Sequence, residues 1–156
     1  MKRIIAVFVV LSSLSLAQTQ KITPSPALMS SILDAWSAGG PAKAAVYYDK
    51  SPADIFFDLT PLEYKGWTEY NSGAPTALGV FDTIKFTLHG DAKVHRAGST
   101  AWGTATWSAE GKLKNGNGVS LEGRWTVIWE KKGSQWLIVH EHLSAPWQPE
   151  RESRHR

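Results

Sequence analysis

The sequence predicts an α+β fold, with helices packed on one face of a curved antiparallel sheet. Two observations predict it. Apolar residues recur at helical spacing in the first third of the chain, and from residue 81 onward alternating apolar and polar runs are separated by short turns rich in Gly and Asn. Helices followed by a strand meander are typical of an α+β domain.

The helical part begins at Ser25-Pro26, since serine caps helices well and proline suits the first helical position. The residues that follow form one apolar stripe at helical spacing: Leu28, Met29, Ile32, Leu33 and Trp36. Gly39-Gly40 ends this helix. A second short helix, PAKAAVYY, is expected to end near residue 49.

A short strand, DIFFDL, comes next and ends before Pro61. We expect EYKGWTEY to be a loop with at most one helical turn near residues 67–70, and NSGAP to be a turn. Five strands are predicted after residue 81: FDTIKFTLH, DAKVHRA, TAWGTATWSA, VSLEGRWTVIWEK and QWLIVHEHLS.

Residues 1–17 predict a cleavable secretory signal peptide. MKR is basic, the apolar run that follows is short, and Ser15 and Ala17 supply small side chains for cleavage after Ala17. An uncleaved anchor is the alternative, but the run is shorter than the ~20 residues of a membrane span. We therefore expect a secreted or periplasmic protein, free of the membrane after cleavage. Its parts would be a linker at 18–25, one domain at 26–147 and a disordered polar tail at 148–156.

The composition excludes several functional classes. The chain has no cysteine, which excludes disulfides, thiol chemistry and cysteine-ligated metals. Its net charge of +3 comes mainly from the two ends, so the basic stripe of a nucleic-acid-binding protein is missing. Eight tryptophans suit both a packed core and a ligand pocket.

Two segments, YYDKSPADIFFDLTP and GRWTVIWEKKGSQWLIVHEHLSAP, resemble the nuclear transport factor 2-like superfamily. The resemblance is strongest to its SnoaL-like and ketosteroid isomerase-like branches, with similarity to the calcium/calmodulin-dependent kinase II association domain. It spans about residues 26–147. It implies a cone-shaped sheet with an apolar pocket in its mouth, and a homodimer formed through the outer sheet faces. It does not define the chemistry, because this fold serves enzymes, assembly modules and binding proteins.

Asp58 is the candidate general base. It lies in the apolar run IFFDL, where a carboxylate is costly without a partner and burial would raise its pKa toward neutrality. The resemblance implies the same role, since ketosteroid isomerase-like proteins carry the proton-abstracting aspartate at the matching strand position. The alternative is a strand-end acid that faces water or caps the turn at Thr60-Pro61.

The isomerase pattern also has a tyrosine on the first helix that stabilises an oxyanion. Here that helix offers Ile32 and Trp36 instead, which argues against steroid isomerase activity. Three tyrosines elsewhere are possible substitutes: Tyr47, Tyr48 and Tyr64.

His140 and His142 are two residues apart, so on a regular strand they share one face. That face would also carry Trp136 and Ile138, and the matching set on the neighbouring strand would be Arg124, Thr126 and Ile128. We expect this face to line the pocket, with His142 or His140 as the partner acid and Arg124 stabilising charge.

The opposite face offers the alternative lining: Trp125, Val127, Trp129, Val139, Glu141 and Leu143. A one-residue slip or a β-bulge would exchange the two sets, so the sequence leaves both open.

We expect Tyr64, Trp67, Trp102 and Thr126 to contact a flat ligand, with core packing as the alternative for the aromatic residues. The His-x-His pair with Asp58 could form a metal site, but no further acid or histidine stands at ligand spacing. We therefore expect no metal and no cofactor.

Together these features predict a protein that binds a small apolar or carbonyl-containing molecule. The leading interpretation is cofactor-free acid–base chemistry of the isomerase, lyase or hydrolase type. The alternative is a non-catalytic module for ligand binding or oligomer assembly.

Overall fold

The computed structural model describes residues 23–147. The predicted signal peptide, residues 18–22 of the linker and the tail lie outside these residues. The helices are α1 (Pro26–Gly39), α2 (Pro41–Ala44) and α3 (Gly66–Leu78), with a short 3-10 helix at Ala45–Tyr47. The strands are β1 (Ile55–Phe57), β2 (Tyr64–Lys65), β3 (Phe81–Leu88), β4 (Lys93–Ala97), β5 (Thr100–Leu113), β6 (Gly118–Lys132) and β7 (Gln135–Ser144). Within the described part of the chain, no helix has the length and apolar character needed to cross a membrane.

All seven strands form one curved, unclosed sheet, six of them in the order β2-β1-β7-β6-β5-β3 and the seventh, β4, paired with β5 beside β3. The long strands β5, β6 and β7 form an antiparallel meander. Strands β3 and β4 pair with successive parts of β5, and β1 runs parallel to β7. The α+β prediction is confirmed, with the β1–β7 pair as the parallel exception.

Helix α1 forms where the sequence predicted it. The Ser25 hydroxyl accepts a hydrogen bond from the Leu28 N–H at 3.1 Å, and Gly40 ends the helix with a positive φ of 58°. Its buried side chains are the predicted stripe: Met29, Ile32, Leu33 and Trp36. They pack against the inner face of the sheet in a single hydrophobic core.

Helix α3 occupies the segment predicted to be a loop and a turn, so that prediction was wrong. The buried residues Trp67, Tyr70 and Ala74 recur three and four positions apart, which is helical spacing. Burial of two large aromatic side chains outweighs the poor helix propensity of NSGAP, including Pro75 inside the helix.

Strand β7 contains a β-bulge at Val139. Its pairing with β6 shifts between Ile128 and Trp129, so Val139 lies opposite no residue of β6. The extra residue changes the alternation of side chains. As a result Ile138 and Glu141 are both buried on the inner face, although their odd spacing would separate them on a regular strand.

Candidate functional site

A cavity of about 270 Å³ lies between the helices and the inner face of the sheet. Most of its wall is aliphatic and aromatic. The polar groups in the wall are the carboxyls of Asp58 and Glu141, the hydroxyls of Thr60 and Tyr70, and the indoles of Trp36, Trp107 and Trp125. A concave apolar site with a few convergent polar groups is the usual form of a small-molecule pocket.

Glu141 is the most deeply buried acid of the site, with 1% of its surface exposed. The Tyr48 hydroxyl lies 3.0 Å from both carboxyl oxygens, and the Trp125 indole N–H donates to Oε2 at 3.0 Å. The Trp36 indole N–H in turn donates to the Tyr48 hydroxyl at 2.9 Å. A chain of hydrogen bonds therefore fixes the Glu141 carboxyl in the cavity wall.

Burial raises the pKa of Glu141 to about 7. Hydrogen bonds from Tyr70, Tyr48 and Trp125 act in the opposite direction, and the negative charge of Asp58 raises the pKa further. Glu141 therefore exchanges its proton near neutral pH, so it can either accept or donate a hydrogen bond there.

Asp58 directly follows β1, whose Phe56 is fully buried in the core. The Asp58 side chain is half-buried and lines the cavity. Burial raises its pKa, while the backbone N–H of Leu59, which donates to Oδ1 at 2.6 Å, lowers it. The two carboxyls therefore share one cavity, and the charge of Asp58 influences the pKa of Glu141.

The other predicted catalytic residues, and the predicted ligand contact Thr126, lie on the outer face of the sheet. Thr126 stands opposite His142, Arg124 opposite Ser144, and His140 is in register on the same face. None of these four side chains lines the cavity. The expectation that the Arg124–His142 face forms the pocket was wrong, because the bulge reverses the alternation and turns Glu141 inward.

The two histidines pack along the seam between β1 and β7. Nδ1 of His140 lies 2.7 Å from the carbonyl oxygen of Ile55, an arrangement in which the ring N–H donates. Both imidazoles contact the ring of Phe57 edge-on, at centroid distances of 5.4 and 5.6 Å. His142 also borders a shallow surface groove that Asp58 reaches from the inner side.

Three predicted ligand contacts also lie outside the cavity wall. Tyr64 stacks on Tyr70 at 4.8 Å and Trp67 packs on Tyr48 at 4.6 Å, so both are core residues. Trp102 is 40% exposed on the outer face. For Tyr64 and Trp67 the alternative role, core packing, is the one observed. In residues 23–147, no three His, Asp or Glu side chains come together in a group that could hold a metal ion.

The family model of the SnoaL-like domain matches residues 27–148. This chain belongs to the SnoaL-like domain family. No curated protein matches its sequence.

Solved structures agree on the fold of this SnoaL-like domain. A nuclear transport factor 2-like superfamily protein from Salmonella enterica serovar Typhimurium is 20% identical with a TM-score of 0.68, covering 80% of this chain and 93% of its own. A putative calcium/calmodulin-dependent protein kinase II association domain from Xanthomonas campestris is 22% identical with a TM-score of 0.64, covering 80% and 85%. A putative scytalone dehydratase from Novosphingobium aromaticivorans is 12% identical with a TM-score of 0.66, covering 76% and 79%. At these identities the likenesses show the fold alone, which is that of nuclear transport factor 2-like proteins.

Sequence reasoning identified Asp58 and missed the central role of Glu141. Glu141 entered only as a member of the alternative strand face, and Tyr48 only as a substitute tyrosine. The available signal was an acid within the apolar run QWLIVHEHL, on the face shared by Trp125 and Val127 of the neighbouring strand.

Proposed function

We propose that this SnoaL-like domain binds a small, largely apolar molecule in its cavity and moves a proton on it without a cofactor, as isomerases and lyases do. One observation carries the proposal. Asp58 and Glu141 are two carboxyls of raised pKa in the wall of one largely apolar cavity. Carboxyls whose pKa is shifted toward neutrality are suited to general acid–base work.

The two carboxyls take different roles because their surroundings differ. Glu141 is fully buried, so we assign the proton to it, and we assign the ionised state to the half-buried Asp58, whose carboxyl also accepts from the Leu59 N–H. Ionised Asp58 removes a proton from a C–H bond next to a carbonyl or another activating group. The electron pair left on carbon moves toward the substrate oxygen, to which protonated Glu141 donates a hydrogen bond.

The deprotonated substrate can then react in two ways. Returning the proton from Asp58 to another carbon of the substrate completes an isomerisation, and loss of a leaving group from the neighbouring carbon completes an elimination. The fold shared with a putative scytalone dehydratase supports chemistry of this class.

The proposal can be tested without knowing the natural substrate, by using a model compound. 5-Nitrobenzisoxazole is a flat aromatic molecule that opens when a base removes its C–H proton: the N–O bond breaks and a coloured phenolate forms. We expect the protein to accelerate this elimination above the buffer background, with a rate that rises with pH as Asp58 ionises. Asp58→Asn should reduce the acceleration by roughly 100-fold or more. Asp34→Asn, an exposed acid of α1, should leave it unchanged.

Two results would contradict the acid–base mechanism. Full activity in Asp58→Asn would show that another base acts. Binding of the probe, seen as quenching of tryptophan fluorescence, without any elimination would favour a non-catalytic binding module.

We also propose that the protein is secreted and forms a homodimer through the outer sheet face. Residues 1–17 support secretion, and the exposed rings of Phe57 and Trp102 support a sheet-to-sheet contact. N-terminal sequencing of exported protein and native mass spectrometry test these proposals separately. An intact N-terminus contradicts the first, and a monomer that persists at high protein concentration contradicts the second.

A further inference from the structure

Trp107 carries a buried hydrogen-bond donor that the proposed mechanism does not use. Its side chain is fully buried and lines the cavity, and its Nε1 has no acceptor among residues 23–147. The other two indoles of the wall are paired, since Trp36 donates to Tyr48 and Trp125 donates to Glu141. Buried donors normally have a partner, so this exception calls for an explanation.

The position of the Trp107 ring depends on a glycine of the neighbouring strand. Trp107 on β5 stands opposite Gly123 on β6. A Cβ atom at Gly123 would lie 2.5 Å from Cζ2 and 2.6 Å from Cε2 of Trp107, so the indole lies directly over this glycine; it would also lie 2.6 Å from the carbonyl oxygen of Ser144. Gly123 has no positive φ, so the absence of a side chain, rather than backbone conformation, is what the site requires.

An unpaired indole is not by itself evidence of a ligand. Trp129 is also fully buried with an unpaired Nε1, and its ring lies close to Gly103, although the residue opposite it is Ala101. Trp129 does not line the cavity, whereas Trp107 does. Trp129 therefore serves as a control, a buried and unpaired indole outside the cavity wall.

We propose that the Trp107 indole N–H donates a hydrogen bond to an acceptor atom of the bound molecule and selects ligands that carry one at this point. The inference rests on the proposed cavity function and adds to it the class of ligand. That ligand has an apolar skeleton, a reacting group near Asp58 and Glu141, and a separate acceptor such as a carbonyl or ether oxygen.

The register of the sheet separates the two polar positions of this ligand. Trp107 stands opposite Gly123, while Glu141 stands opposite Val127 on the same strand. Four residues of β-strand span about 13 Å between these backbone positions. In the proposed ligand the acceptor that meets Trp107 is accordingly a different atom from the oxygen that meets Glu141.

The test uses 1-tetralone and tetralin, which share a carbon skeleton but differ in a ketone acceptor. Indole N–H signals of the nitrogen-15-labelled protein are followed by NMR while each probe is added. We expect 1-tetralone to move the Trp107 N–H signal downfield and tetralin to move it far less. The Trp129 signal should respond to neither probe.

Affinities measured on two variants complete the test. Trp107→Phe should weaken binding of 1-tetralone by roughly tenfold, the effect of one lost hydrogen bond, and leave tetralin binding within about twofold. Trp129→Phe removes the same atoms outside the cavity and should preserve the preference for the ketone. The NMR measurement needs no variant, so it decides the question even if Trp107→Phe does not fold.

The outcomes separate this inference from the function on which it rests. If both probes shift signals of cavity residues but the Trp107 N–H does not respond to the ketone, the Trp107 inference is overturned and the cavity proposal stands. If neither probe shifts any cavity signal at millimolar concentration, the binding proposal itself fails and this inference fails with it.

Discussion

Replacing Glu141 with glutamine should make the protein more stable at neutral and alkaline pH. The pKa of Glu141 is about 7 in the folded protein, against an ordinary value of 4.5. Each pKa unit corresponds to about 1.4 kcal/mol, so holding this carboxylate ionised in the folded state costs about 3 kcal/mol. The amide of glutamine stays neutral and can still accept from Trp125 and bond to Tyr48.

The direction of the pH dependence follows from the raised pKa. The folded protein holds this proton more tightly than the unfolded chain does. Its contribution to stability is therefore complete below about pH 4.5 and is lost as the pH rises through about 7. Glu141→Gln removes that loss, so the difference in unfolding free energy between variant and wild type should grow by about 3 kcal/mol from about pH 4 to about pH 8.

Urea unfolding followed by circular dichroism at several pH values measures this difference at constant ionic strength. A change of about 3 kcal/mol corresponds to roughly 10 °C in Tm for a domain of this size, so thermal unfolding is an independent check. Glu122→Gln, an exposed acid of β6, is the matched control and should give curves parallel to the wild type. Parallel curves for Glu141→Gln as well would refute a titration of Glu141 in this range.

Two further substitutions test the contacts around the cavity. Tyr48→Phe removes a hydrogen bond that lowers the pKa of Glu141, so the pH at which stability is lost should move above about 7 in the same unfolding series. An unchanged midpoint of this pH dependence would contradict the hydrogen bond between Tyr48 and Glu141. Gly123→Ala places a Cβ 2.5 Å from the Trp107 ring and 2.6 Å from the carbonyl oxygen of Ser144, and should cost about 1–3 kcal/mol in urea unfolding. Gly118→Ala on the same strand meets no atom within 4 Å and should change stability by less than about 0.5 kcal/mol. Equal effects of the two substitutions would contradict this close packing over Gly123.

Most of the fold could be predicted because its signals are local. The signals for the cap at Ser25, the stop at Gly40 and most of the alternation in the strands after residue 81 each depend on neighbours in sequence. Helix α3 could not be predicted in this way. Its sequence favours a turn at NSGAP, and the burial of Trp67 and Tyr70 against distant parts of the chain decides its conformation.

Of the two carboxyls of the candidate site, the sequence predicted Asp58 but not Glu141. The bulge at Val139 explains why. Asp58 was accessible because an acid in an apolar run is unusual wherever the run packs. The choice between His142 and Glu141 depended on whether β7 continues in phase, and the bulge at Val139 reverses that phase. A bulge leaves no signal in the alternation of apolar and polar residues. The sequence alone therefore could not decide which face of β7 lines the cavity; the pairing with β6 decides it.

The polar groups of the cavity do not carry equal weight for function. A tryptophan ring lies against a glycine of the neighbouring strand at Trp107 and again at Trp129, which lies outside the cavity, so close packing alone accounts for such a contact. A fully buried acid is different, because Glu141 is the one buried charged residue of the described core and costs about 3 kcal/mol when ionised. A core serving the fold alone would be at least as stable with a neutral side chain there. The carboxyl pair of Glu141 and Asp58 is therefore the feature that packing does not explain, and the elimination assay addresses it directly.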